Sequence, residues 1–187
     1  MKKILYILLF VNACVTTSVK PIEDNEFVSI QPSHIPGAGM GLFAAKDIPK
    51  DTMVTHYEGQ KITRKEYNAL HAKSEHWYMF TMPECANQPN FPYLDGNRDH
   101  YGSKVNFAPS KINGKPTNLQ NVHFLKHCEE PYIRLYATRD IKKGEELYVS
   151  YGGIYNYHFV QFPDVQEFFL KKTGIKLKAG DRFTFED

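Results

Sequence analysis

Short runs in which apolar and polar residues alternate recur along most of the chain, and they are rich in β-branched and aromatic side chains. Residues 26–30 (EFVSI), 52–58 (TMVTHYE), 76–82 (HWYMFTM), 120–126 (QNVHFLK), 132–138 (YIRLYAT) and 145–151 (EELYVSY) each read as a strand. The period becomes helical in two places. Thr63 and Glu66 have capping-box spacing ahead of Tyr67 and Leu70. A second helix is predicted over DVQEFFLKKT, with Asp164 as its N-cap after Pro163. Segments rich in Pro, Asn and Gly, PECANQPNFP and PSKINGKPTN, read as loops. The pattern predicts a mainly β domain with a few short helices. An internal echo, AKDIPKDTMV at 45–54 and TRDIKKGEEL at 138–147, reads as two similar hairpin corners, since two short copies make no solenoid.

The N-terminus breaks this pattern. MKKILYILLFVNAC opens with Lys2 and Lys3, continues with an apolar run, and ends in small residues. This is the layout of a secretory signal, too short to span a bilayer. Val11 and Ala13 suit cleavage after Ala13. VNAC also resembles a bacterial lipobox, which would place a lipid anchor on Cys14. An uncleaved apolar N-terminus is the third reading. Residues 1–13 are therefore signal-like, and 14–26 form a polar linker.

Composition narrows the rest. A chain of 187 residues can bury one real core. A net charge of +2 is too weak to argue for nucleic-acid binding. Cys14, Cys85 and Cys128 are scattered with no C-x-x-C pair, so no metal site is expected. Whether Cys85 and Cys128 form a disulfide is open. The basic stretch KKTGIKLK at 171–178 reads as a solvated helix end, or as a contact for acidic partners.

The glycines of GAGMG at 37–41 pose a chemical question. A dinucleotide fingerprint needs a buried strand before them, G-x-G-x-x-G spacing and a helix after them. Here SHIP precedes, the spacing is G-x-G-x-G, and Pro49 soon interrupts any helix. A P-loop would end in G-K-S/T, whereas Leu42 follows Gly41. A phosphate cradle is thus disfavoured, leaving a plain turn or another ligand.

Three segments, in order, carry a resemblance: GMGLFAAKDIPKDTMVTHYEG, GSKVNFAPSKINGKPTNL and IKKGEELYVSYG. Together they resemble the SET domain of protein lysine methyltransferases, of the type without zinc-binding cysteine flanks and with PR-like features. The resemblance spans residues 27–157 and leaves 158–187 as a C-terminal, post-SET-like helical segment. It implies small curved sheets with a knot-like crossing. It also implies S-adenosyl-L-methionine as cofactor and a protein lysine entering through a narrow aromatic channel from the opposite face.

The implied chemistry is an in-line methyl transfer to a neutral amine. Lysine titrates near ~10.4, so neutralising it at pH 7 costs roughly 4–5 kcal/mol. A dry aromatic channel lowers that cost by desolvation, and alignment supplies much of the remainder. Residue by residue, the resemblance makes Tyr151 the catalytic tyrosine. It makes Gly39, Met40, Gly41, Asn106 and Phe107 cofactor-binding, with Tyr151 walling the sulfonium. Tyr57 and Tyr148 would line the substrate channel. Phe107 and Ala108 stand where the family has histidine and serine. Asn118 is the nearest match to the family's P-N asparagine. Tyr155, Tyr157, Phe159, Phe162 and Phe168 are candidates for stacking on adenine.

An exported enzyme that needs an intracellular cofactor makes best sense inside another cell. The reading is therefore an exported factor, secreted or lipid-anchored, that methylates histones or other host proteins. If the N-terminal segment is no signal, the location is cytoplasmic. The alternatives are a catalytically inactive SET-like binding module and an envelope protein.

Overall fold

The computed structural model describes residues 26–73, 78–82, 93–127, 130, 132–151, 162–178 and 180–184. The signal-like segment, all three cysteines, and Tyr155, Tyr157 and Phe159 lie outside them. Twelve strands and two α-helices are present among the described residues, so the chain is mainly β. No helix among them is long and apolar enough to cross a membrane.

The first strands, β1 (Val28–Pro32) and β2 (Met40–Ala44), pair antiparallel, so the second half of the glycine segment is itself a strand. The main sheet has the order β4–β5–β3–β10–β9. It is built from β3 (Met53–Ile62), β4 (Met79–Thr81), β5 (Tyr93–Gly96), β9 (Val122–Lys126) and β10 (Tyr132–Ala137). Strand β10 alternates buried and half-buried positions, the mark of a one-faced antiparallel strand. Ile133 and Leu135 point into the core beside Leu94 and Val54.

Between these strands, α1 (Arg64–Ala72) starts as predicted. Thr63 Oγ1 accepts from the Glu66 N–H, and the Glu66 carboxylate accepts from the Thr63 N–H at 2.8 Å. The second helix, α2 (Pro163–Thr173), corrects its predicted start. Phe162 is the N-cap, with no side-chain bond, and Pro163 opens the helix. Pro suits that place because its missing N–H is one the first turn leaves unbonded anyway. Asp164 lies in the first turn, where a carboxylate faces the positive end of the helix.

Shorter strands complete the fold. β6 (Asn106–Phe107) pairs in parallel with β11 (Tyr148–Val149). β7 (Lys111–Ile112) and β8 (Lys115–Pro116) form a hairpin through Asn113 and Gly114, both with positive φ, inside a stretch predicted as loop. β12 (Phe183–Thr184) pairs with β7, so the C-terminal segment returns to a sheet after its helix. Only two residues of the predicted 145–151 strand form one, because the chain there crosses between other segments. Phe43 bridges Glu146, and Tyr148 pairs with Asn106.

The internal echo has a structural counterpart. Ile48 and Ile141 exchange both backbone hydrogen bonds at 2.8 Å. Each corner's aspartate caps the other: Asp47 Oδ1 accepts from the Lys143 N–H and Asp140 Oδ1 from the Lys50 N–H, both at 2.9 Å.

Candidate active site

The crossing of β6 and β11 is where distant segments meet. At its centre lies Glu146, whose side chain is fully buried. Its carboxylate accepts from four donors: Ser33 Oγ (2.6 Å), the His34 N–H (2.8 Å), Asn106 Nδ2 (3.1 Å) and the Tyr148 hydroxyl (2.7 Å). A buried carboxylate needs such partners, since an unbonded one would carry a large desolvation penalty. The Ser33 N–H donates to Gly39 O at 2.8 Å, so the carboxylate holds the start of the 33–39 loop and the loop closes on itself there.

That carboxylate also explains one glycine. A Cβ on Gly41 would lie 2.3 Å from Glu146 Oε1 and 3.2 Å from Asn106 Nδ2. Gly39 is different: its φ is +74°, and nothing stands within 4 Å of a Cβ there. One glycine makes the turn and the other makes room for Glu146. Between them Met40 is 45% exposed, and its carbonyl accepts from Asn106 Nδ2 at 3.2 Å. Asn106 Oδ1 takes no hydrogen bond among the described residues.

Asn121 locks the crossing from behind. Its side chain is buried, accepts from the Tyr148 N–H at 2.8 Å and donates to Glu146 O at 2.9 Å. Asn118, the nearer match to the P-N pattern, is exposed with a φ of +57°. The asparagine that binds at the crossing stands three positions further along, after the lengthened hairpin loop.

Tyr151 sits against the main core, and its hydroxyl donates to Val105 O at 2.6 Å. Burial, then the neighbouring Tyr78 and Glu146 charges, push its ionisation well above the ordinary tyrosine range. The group is a neutral hydroxyl at physiological pH, a donor rather than a base. Phe107 is buried, and its ring lies 5.8 Å from that of Tyr151. Ala108 is likewise buried.

Tyr57 belongs to the same apolar cluster. It is buried, donates to Tyr78 O at 2.7 Å, and meets Phe80 edge-on with centroids 4.7 Å apart. Tyr78, Phe80 and Tyr151 pack on this cluster as well. Tyr148 does not join them. Its ring lies in a second cluster with Ile112, Val165 and Phe168, and its hydroxyl is turned to Glu146. Burial, then the Glu146 carboxylate, push the Tyr148 hydroxyl far up as well. Of the stacking candidates, Phe162 is 51% exposed and Phe168 is buried in that second cluster.

Sequence reasoning missed Glu146, Asn121 and Tyr78. Glu146 stood in the predicted 145–151 strand, where alternation with the apolar Leu147 puts it on the polar face, so the sequence did not mark it as buried.

Comparison with known proteins bears on the same stretch of chain. The family model for the SET domain matches residues 39–152, more than half of the chain. Histone-lysine N-methyltransferase EZH2 of Chaetomium thermophilum is 29% identical over 128 residues, covering 64% of this chain and 8% of that protein. Histone-lysine N-methyltransferase ASHH3 of Arabidopsis thaliana is 26% identical over 167 residues, covering 86% of this chain and 41% of that protein. The chain thus spans less than half the length of either relative. Among solved structures, Chaetomium thermophilum PRC2 in complex with H3K27me3 and H3K27M superposes with a TM-score of 0.51 at 27% identity. That match covers 67% of this chain and 14% of the other. The matched span runs from the glycine turn through Asn106 to Tyr151, the residues that meet around the β6–β11 crossing, and this chain belongs to the SET domain family.

Proposed function

We propose that this protein is an S-adenosyl-L-methionine-dependent protein-lysine N-methyltransferase. The observation that carries the reading is the meeting of three remote segments. The Gly39–Gly41 turn, Asn106 and Tyr151 are joined through Asn106 to Met40 O, Asn106 to Glu146, and Tyr151 to the carbonyl just before Asn106. Membership in the SET family and the names of its relatives support the same activity.

The residues fit the cofactor. Asn106 Oδ1 beside the exposed Met40 offers acceptors for an ammonium group, and its Nδ2 is already committed. When bound, the cofactor supplies a methyl group on a cationic sulfonium. Tyr151 holds a neutral hydroxyl that donates to Val105 O, and its oxygen would accept from the incoming amine and orient it toward the methyl. The aromatic cluster of Tyr57, Tyr78 and Phe80 excludes water, which favours the neutral lysine that must attack. Its faces also suit a cationic methylammonium product.

The substrate is a protein lysine, with histones first in line because the relatives are named for histone lysines. The sequence MKKILYILLFVNAC supports export, with Cys14 as a lipid-anchor position, and hence a target in a host cell. A second reading, a binding module without chemistry, rests on Phe107 and Ala108 in place of histidine and serine.

Incubation with methyl-labelled S-adenosylmethionine and core histones or host lysate tests the activity. Label on lysine supports it, and absence of both label and cofactor binding supports the binding module. Fractionation that finds only full-length protein in the cytoplasm would overturn export and leave the enzyme intact.

A further inference from the structure

His56 and Glu58 are two residues apart on β3, so both side chains leave the same face of the sheet, while Tyr57 between them enters the core. A 3-10 turn over Tyr101–Lys104, with His100 as its N-cap, lies directly on that strand. Gly102 makes the approach possible, because a Cβ there would come within 2.1 Å of His56 O. The result is a cluster. His56 Nε2 stands 2.9 Å from Glu58 Oε1, and His100 Nε2 stands 4.0 Å from Glu58 Oε2. The two imidazole centroids are 4.5 Å apart, and one ligand atom from each residue lies within 4.8 Å of the others. It is the one such group among the described residues.

We propose that His56, Glu58 and His100 bind a late first-row divalent cation, Zn2+ foremost, which clamps the 3-10 turn to β3. Two imidazoles and a carboxylate form a donor set suited to that class of ion and unsuited to Mg2+. Donors of a tetrahedral zinc site stand roughly 3.4 Å apart, given bonds of about 2.0–2.1 Å. Glu58 already sits near that distance from both imidazoles, and as its side chain is half exposed it is free to rotate. The solvent side of Glu58 leaves a fourth position for water.

Binding through His100 Nε2 places a proton on Nδ1, so the long 3.3 Å bond from the Gly102 N–H is exchanged for the metal bond. Arg134 faces His56 across the β3–β10 pair, and its charge is matched by the Glu130 carboxylate. The clamp has a reach, since the turn runs through Lys104 and Val105 into Asn106. It is independent of the methyltransferase reading. The expectation that no metal binds rested on cysteine spacing, and this site contains no cysteine.

The test is calorimetric titration of the untagged full chain with Zn2+, beside Glu58→Gln and His100→Ala variants and an Mg2+ control. The visible spectrum with Co2+ reports the ligands. We expect one saturable Zn2+ site, no Mg2+ binding, a Co2+ spectrum without a thiolate charge-transfer band, and at least a tenfold loss of affinity in each variant. Glu58→Gln alters a half-exposed side chain and keeps the fold, so its result stands even if His100→Ala loosens the turn. Absence of a saturable site, binding unchanged in Glu58→Gln, or a thiolate band overturns the proposal.

Discussion

The Glu146 carboxylate occupies the space that a side chain on Gly41 would need, with Oε1 2.3 Å from where that Cβ would stand. Neither atom can yield easily, because Glu146 is held by Ser33, His34, Asn106 and Tyr148 together. Gly41→Ala should therefore destabilise the fold by about 1–3 kcal/mol, the usual range for overpacking. Urea unfolding at neutral pH measures it. A variant as stable as the parent would show that the carboxylate moves aside freely.

Glu146→Gln keeps the volume but turns one acceptor into a donor facing other donors. We expect a loss of about 1–3 kcal/mol for the mismatched buried groups, together with weaker cofactor binding as Asn106 and the 33–39 loop loosen. Equal stability and affinity in the variant would refute the anchoring role.

Asn121 and Asn118 separate by the same logic. Asn121→Ala strands the Tyr148 N–H and Glu146 O, two buried groups worth about 1–3 kcal/mol each when left unbonded. Asn118→Gly should change stability by no more than about 0.5 kcal/mol, since the residue is exposed and glycine accepts its positive φ. Thermal unfolding of the pair decides which asparagine fastens the crossing.

Alkaline stability offers a further check. Tyr148 ionises far above its unfolded value because it is buried, then because Glu146 accepts its proton. A group with a raised folded pKa contributes fully below its unfolded value of about 10 and loses that contribution as pH rises beyond it. The parent should lose stability as pH rises above about 10, and Tyr148→Phe should lose less over the same interval. Parallel curves in denaturant titrations at both pH extremes would contradict the assignment.

These residues also show how far the sequence could be read. The capping box at Thr63 and Glu66 was legible because its bonds are local, and the main-sheet strands were legible from their alternation and β-branched content. The family motifs carried Gly39, Asn106 and Tyr151. What stayed hidden depends on crossings. Strand β2 looked like a glycine turn because the space beside Gly41 is filled by Glu146, more than a hundred residues away. The 145–151 stretch read as one strand, yet it splits its pairing between Phe43 and Asn106. Tyr57 and Tyr148 both looked like channel aromatics, and only packing sends one to Phe80 and the other to Glu146. The start of α2 was misplaced by one competing signal, with Pro163 at the first helical position outweighing Asp164 as a cap.

The most direct measurement is single-turnover methyl transfer by the parent and by Tyr151→Phe, with cofactor affinity measured in parallel by calorimetry. The Tyr151 hydroxyl donates to Val105 O, while the Glu146 carboxylate is held by Ser33, His34, Asn106 and Tyr148, so loss of the hydroxyl should leave affinity within about threefold. The rate of transfer to lysine should fall by roughly a hundredfold or more, since alignment of the reacting amine is lost. Equal rates in the two proteins would contradict the account, because Tyr151 would then be a packing residue and the chemistry would lie elsewhere.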